Sequence, residues 1–178
     1  MERFPVHTLD SAPTESQPLL DGSLKSFGMI PNLHGVMAEA PALLEGYQQL
    51  HSLFQQTSFS AEELTVVWQS LNVEHGCHYC VPAHTAIAHQ MKVDASIIDA
   101  LKTGDPLPPK LEALRTFTLA MARQRGNVTE ADIQAFIDAG YQPQQILEIV
   151  LGLAQKVMSN YVNHFAHTPL DKPFQKFA

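Results

Sequence analysis

The sequence predicts an all-α protein, and three observations carry that expectation. Apolar residues recur at helical spacing in several separate stretches. Cap residues and glycine stops bracket those stretches. Period-two alternation is sustained nowhere, and the β-branched residues fall inside the helical patterns. A chain of 178 residues, 45% of them hydrophobic, suits one domain that buries its own core. We expect an extended N-terminal arm over residues 1–31 and a helical bundle over residues 32–178.

The arm carries Pro5, Pro13 and Pro18 among serines and threonines. Little regular structure is expected there beyond a short helix or turn around Leu19 to Phe27. Met29 to Leu33 begins the folded body. From Pro41 to about Gln56, the residues Leu43, Leu44, Tyr47, Leu50, Leu53 and Phe54 follow a helical period. Ser60 and Glu63 form a capping box, whose two side chains satisfy free backbone N–H groups of the first turn. The helix they start holds Leu64, Val67, Trp68 and Leu71. Glu62 and Glu63 thereby serve as first-turn charges rather than as catalytic acids. Gly76 breaks the chain before a further helix. That helix must start just ahead of Pro82, because proline has no N–H and fits only the first turn. It runs on through Ala86, Ile87, Ala88 and Met91.

Asp94 caps a helix from Ala95 to about Lys102, which Gly104 ends. Asp105 to Pro109 is a rigid connector. Lys110 to Arg125 is a helix with Leu111, Leu114, Phe117 and Met121 on one side, closed at Gly126-Asn127. Thr129 caps the next helix, which stops at Gly140. Pro143 suits the first turn of the last long helix. Its residues from Ile146 to Met158 are apolar nearly all round. That predicts burial on most sides, within the domain or at a subunit interface. The last residues, with Pro169 and Pro173, form a tail.

The chemistry gathers between Glu74 and His84. Both cysteines fall here, as Cys77 and Cys80, with His84 four positions after the second. Cys77, Cys80 and His84 are spaced to line up on one helix face. The proline-marked helix start puts the cysteines where free N–H groups and the macrodipole stabilise an anion. Thiol pKa values fall below the free value of about 8.5 at such positions. One sulfur can attack and the other can close a disulfide. Structural zinc usually takes four protein ligands; here there is no second cysteine pair, and His89 points off the shared face. A c-type haem needs histidine where Val81 stands, and a thioredoxin-like site needs a βαβ pattern that is absent.

The pattern E-x-x-C-x-Y-C-x-x-x-H, from Glu74 to His84, resembles the signature of the AhpD-like alkylhydroperoxidases of the carboxymuconolactone decarboxylase superfamily. The resemblance implies an AhpD-like helical bundle. It also implies a peroxidase in which Cys80 attacks a hydroperoxide, Cys77 resolves the product, and His84 relays protons with a glutamate. The better-known AhpD pattern carries its glutamate further upstream, where this chain has Thr65. Glu74 resembles a subgroup that keeps the acid next to the CxxC. The segment from Asn160 to His164, followed by Thr168 to Asp171, is similar to that subgroup too. It implies that His164 supports the site. Tyr79 and His78 are candidates to line the pocket, with an exposed His78 the equal alternative. The implied partners are a hydroperoxide substrate and an external dithiol reductant, a thioredoxin-like or lipoyl protein. The implied assembly is a homo-oligomer, trimer or hexamer. No metal, haem, flavin or other cofactor is called for. Two other functions use the same features: a redox adaptor or sensor with disulfide oxidoreductase activity, and a carboxymuconolactone decarboxylase-like enzyme without redox chemistry.

A formal net charge of −7 argues against nucleic acid and anionic membranes, which select basic patches. No apolar run is long enough to span a bilayer. Met1 to Pro5 contains no apolar signal core. A cytoplasmic protein is expected, in which a closely spaced cysteine pair means redox chemistry rather than a fold staple.

Overall fold

A computed structural model describes residues 3–178, so the first two residues of the expected arm lie outside it. Nine α-helices follow one another among the described residues, with no strand. They are α1 (Gln17–Phe27), α2 (Asn32–Met37), α3 (Pro41–Gln55), α4 (Ala61–Glu74), α5 (Cys80–Gln90), α6 (Ala95–Thr103), α7 (Pro109–Arg123), α8 (Glu130–Asp138) and α9 (Pro143–Ala166). A 3-10 helix, Lys172–Phe177, closes the chain.

The expected caps are in place. Ser60 and Glu63 complete the capping box of α4, and the Asp94 side chain accepts from the Ser96 N–H at 2.8 Å. Thr129 and Asp132 form a second box at α8. Gly104 ends α6 in the left-handed region at φ 83°, where a Cβ would be strained.

Helix α4 is central, packed against α5, α6, α7 and α9, while α9 also runs along α3. Two apolar clusters result. The larger fills the space among α4, α6, α7, α8 and the first half of α9, around Trp68, Leu114, Phe136 and Ile149. The smaller collects Leu20, Leu33, Met37 and Leu44 with Cys77, Tyr79, Cys80 and Val162. The two cysteines therefore lie in an apolar body of their own, beside the main core.

The N-terminal segment is less extended than expected. Gln17–Phe27 is a full α-helix, and Leu20 is completely buried. Upstream, the His7 N–H donates to the Gly35 carbonyl at 3.1 Å. A Cβ on Gly35 would stand 2.8 Å from the His7 carbonyl oxygen, so only glycine lets the strand of chain pass this closely. The prolines rule out early helix but not packing, because a leucine at helical spacing still finds a core. The C-terminal tail is likewise packed: Asp171 accepts from the Asn32 N–H at 3.2 Å, and the Phe177 ring stacks on His89.

Helix α9 departs from its sequence reading. Its most deeply buried residues include Gln155, Lys156, Ser159, Asn160 and Asn163, whereas Leu147, Val150, Tyr161 and Phe165 are exposed in the single chain. Hydrophobicity around the whole circumference hid a polar stripe at spacings of three, four and seven, which marks one helix face. No helix is long and apolar enough to cross a membrane among the described residues.

Candidate active site

The turn before α5 is built by α4. The Cys77 N–H donates to the Asn72 carbonyl at 3.0 Å, and Gly76, at φ 61°, lets the chain reverse there. Buried amides then hold the start of α5. Asn72 Nδ2 donates to the Cys80 carbonyl at 3.3 Å, and Gln69 Nε2 donates to the Val81 carbonyl at 3.1 Å. Asn160 of α9 donates to Asn72 Oδ1 at 3.1 Å, which ties the third helix into the same network. Fully satisfied buried amides of this kind fix one arrangement, since each broken bond would strand a buried polar group.

Cys80 is the first residue of α5 and Cys77 lies in the preceding turn, so they do not share a helix face as the spacing suggested. The sulfurs are nevertheless brought together. The Cys80 N–H donates to Cys77 Sγ at 3.3 Å. Asn163 Nδ2 reaches both sulfurs, at 3.2 Å from Cys80 and 3.8 Å from Cys77. Both cysteines are free thiols, and both are buried.

The two thiols are driven apart in acidity. The hydrogen bond to Cys80, then burial, push the Cys77 thiol up. Burial alone would push Cys80 up too. It is outweighed by the hydrogen bond from Cys77, the Lys156 ammonium, and the Ser159 and Asn160 side chains, which pull Cys80 well below an ordinary thiol. These opposite shifts favour the thiolate at Cys80 and the thiol at Cys77.

His84 is buried, with its ring 4.9 Å from that of Trp68. Its Nε2 lies 2.9 Å from Lys156 Nζ, within hydrogen-bond distance, and its Nδ1 is buried without a partner. Burial first, then the Lys156 charge, hold its pKa well below the ordinary imidazole value, so the ring is neutral. Lys156 is completely buried. Burial lowers its pKa, and the Cys80 and Cys77 sulfurs oppose that.

Glu74 is not part of this group. Its carboxylate grips Arg123 through two bonds, Nε at 2.8 Å and a terminal nitrogen at 2.7 Å, on the outer side of α4. The Arg123 guanidinium holds its carboxyl below the usual range. The acid at the end of α4 turns toward α7, while Asn72, two residues earlier, turns toward α5. His164 is half-buried and stays clear of the cavity wall; the neighbouring Asn163 makes the sulfur contacts instead. Tyr79 does border the site, its hydroxyl donating to Asp171. Burial, then Asp171, push its pKa up. His78 is exposed and bonds the Thr168 carbonyl at 3.1 Å.

A cavity of about 570 Å³ opens beside Cys80 and His84. Its other walls come from Ser23 and Phe27 of α1, His34 of α2, Tyr47 and His51 of α3, and Phe174 of the tail. No Asp, Glu, Lys or Arg among the described residues lines it. Burial, aided by its histidine neighbour, lowers His34 to about 3; burial and Lys156 lower His51 to about 4. The imidazoles of the wall are therefore uncharged at neutral pH. Among the described residues no cluster of three or more His, Cys, Asp or Glu could hold a metal ion.

Lys156 and Ser159 escaped the sequence reading, and Asn160 and Asn163 entered it only as part of a similar segment, with no role at the site. The signal was there: polar residues at i, i+3, i+4 and i+7 on an otherwise apolar helix.

No family model and no curated protein sequence matches this chain. Solved structures do. The chain superposes on the alkylhydroperoxidase AhpD core of an uncharacterised peroxidase-related protein from Ralstonia eutropha JMP134, with a TM-score of 0.86 at 21% identity, over 97% of this chain and 93% of that one. An uncharacterised peroxidase-related protein from Silicibacter sp. TM1040 gives 0.82 at 20% identity, over 99% and 94%. The debrominase Bmp8, solved as a cysteine-to-alanine variant with 2,3,4-tribromopyrrole, gives 0.80 at 16% identity, over 98% and 94%. The chain has the AhpD-like fold.

Proposed function

We propose that the chain is a thiol peroxidase that reduces organic hydroperoxides, or hydrogen peroxide, through a Cys80/Cys77 dithiol cycle. One observation carries the reading: a buried pair of sulfurs shares a single amide donor beside a cavity, with one sulfur acidified and the other kept protonated. Cys80 thiolate attacks the distal peroxide oxygen. The O–O bond breaks, Cys80 becomes a sulfenic acid, and the alkoxide leaves. Cys77 then condenses with the sulfenic acid, expelling water and closing the disulfide. The departing alkoxide takes a proton, and His84, which lines the same cavity as Cys80, can supply it. An external dithiol, from a thioredoxin-like or lipoyl protein, returns the disulfide to two thiols. The exposed apolar residues of α9 suit a homo-oligomer.

Hydroperoxide added to the reduced protein should consume both thiols and form one internal disulfide. Cys77→Ser should stop at a sulfenic acid that a dimedone probe traps. Cys80→Ser should lose peroxide consumption; a variant that keeps the wild-type rate would sink the reading.

A second reading rests on the debrominase neighbour and the uncharged aromatic wall of the cavity. In it, an aryl bromide and two thiols give the arene, bromide, a proton and the disulfide, a balance that uses the same pair. Bromide release without peroxide consumption would favour it.

A further inference from the structure

Lys156 sits in the middle of α9, completely buried, 2.9 Å from His84 Nε2. Among the described residues, the ion pairs involve other cations, and no carboxylate pairs with this one. A buried ammonium without a counter-charge is strongly disfavoured. The titratable groups around it can be named element by element. From α5 and the turn before it come Cys77, Cys80 and His84; from α3, Tyr47 and His51; from the residue after α4, His75, held by Asn160 Oδ1 at 2.8 Å; and from α2, His34, held by Ser23 Oγ at 2.8 Å. The histidines supply no negative charge, and burial keeps the Tyr47 phenol protonated. That leaves sulfur.

We infer that Lys156 is the counter-ion of the Cys80 sulfur and the proton source behind His84, filling the place an acid would hold in a Glu/His relay. A lysine ammonium can only donate, so His84 Nε2 must be the acceptor and the ring proton must be on Nδ1. Nδ1 is the ring nitrogen without a partner in the protein. On the peroxidase reading, which this second half rests on, one proton moves outward in two transfers. Nδ1–H passes its proton to the departing alkoxide, and Nε2 takes one from Lys156. Cys80 has by then gained the peroxide oxygen and lost its negative charge, so Lys156 ends neutral and the site stays uncharged overall. The hydrogen of Cys77 leaves in the water released when the disulfide closes. Reduction by the external dithiol restores the Cys80 thiolate and the Cys77 thiol; the second dithiol proton enters at His84 Nδ1 while Nε2 returns its own to Lys156, which resets the tautomer and the ammonium.

The counter-ion role is tested without any peroxide, so its failure is separate from failure of the peroxidase reading. Thiolate absorbance near 240 nm and iodoacetamide rate are followed against pH on the reduced protein. Wild type and Lys156→Arg should show a midpoint well below the free-thiol value of about 8.5. Lys156→Met should move that midpoint up by at least about one pH unit and slow alkylation by roughly tenfold or more at pH values below the wild-type midpoint. A folded Lys156→Met protein with an unmoved midpoint overturns the inference. Should Lys156→Met not fold, the wild type decides by nitrogen-15 NMR of the lysine Nζ. Lys156 should be an ammonium in the reduced protein and lose its proton once the disulfide forms. An ammonium that titrates identically in both redox states overturns the inference as well.

Discussion

At the scale of single residues, the acidity of Cys80 depends on donors supplied by α9. Asn163→Leu keeps the side-chain size and removes the shared amide donor. A hydrogen bond to a charged group contributes about 1.5–3 kcal/mol, and 1.4 kcal/mol is a factor of ten. The Cys80 titration midpoint, read by thiolate absorbance near 240 nm, should therefore rise by about one to two pH units. Glu74→Gln tests the opposite expectation. Its bonds go to Arg123, so peroxide consumption should stay within about twofold, and stability should fall by only about 0.5 kcal/mol. Arg123 depresses the Glu74 carboxyl, so this stabilisation is present at neutral pH. It fades as pH drops below the unfolded carboxylate value of about 4.3. Urea unfolding at pH 7 and pH 3 checks it. The cysteines and His84 were legible in the sequence because their chemistry is compressed into a few residues. Lys156 was not, because the chain carries it 72 positions beyond His84 before the fold returns it.

At the scale of elements, α9 matters twice: one face closes the site and another presses on α3 and α4. Gly152 permits that second contact. A Cβ there would stand 2.7 Å from Phe54 Cε2 and 3.1 Å from Val67 Cγ1. Phe54 has little room to yield, since its ring packs against Phe59 and Trp68. Gly152→Ala gains about 1 kcal/mol of helix propensity, but overpacking a dense core takes back about 1–3 kcal/mol. We expect a net loss of up to about 2 kcal/mol, measured as a lower urea midpoint with an unchanged slope. Helix starts at Ser60, Asp94 and Thr129 were readable from the sequence because capping is local chemistry. The orientation of α9 was not readable. Apolar residues all round a helix leave its rotation about its axis undetermined until neighbours choose a face.

At the scale of the whole molecule, the sulfurs belong to the smaller apolar cluster, and the histidines beside them, His34 and His84 buried and His51 half-buried, are neutral rings. Each has a folded-state pKa below its unfolded value of about 6.5: about 3 for His34, about 4 for His51, and well depressed for His84. The unfolded chain therefore binds up to three more protons as pH falls below about 6.5. Stability is complete above that pH and declines below it. The slope reaches about 1.4 kcal/mol per pH unit for each histidine. Unfolding followed by Trp68 fluorescence should show stability dropping steeply from pH 6.5 toward pH 4; a flat profile there would mean that the rings are charged or exposed. The sequence by itself determined the helical class, the element order, the caps and the identity of the sulfur pair, because periodicity, capping and CxxC spacing act over a few residues. Only the tertiary structure decided which side chains surround those sulfurs. It set Glu74 against Arg123, brought Lys156 and Asn163 inward, and packed the N-terminal segment as a cavity wall. The physical reason is that a side chain's partner depends on the helix face it occupies and on which helix lies opposite, and both follow from packing between segments far apart in the chain.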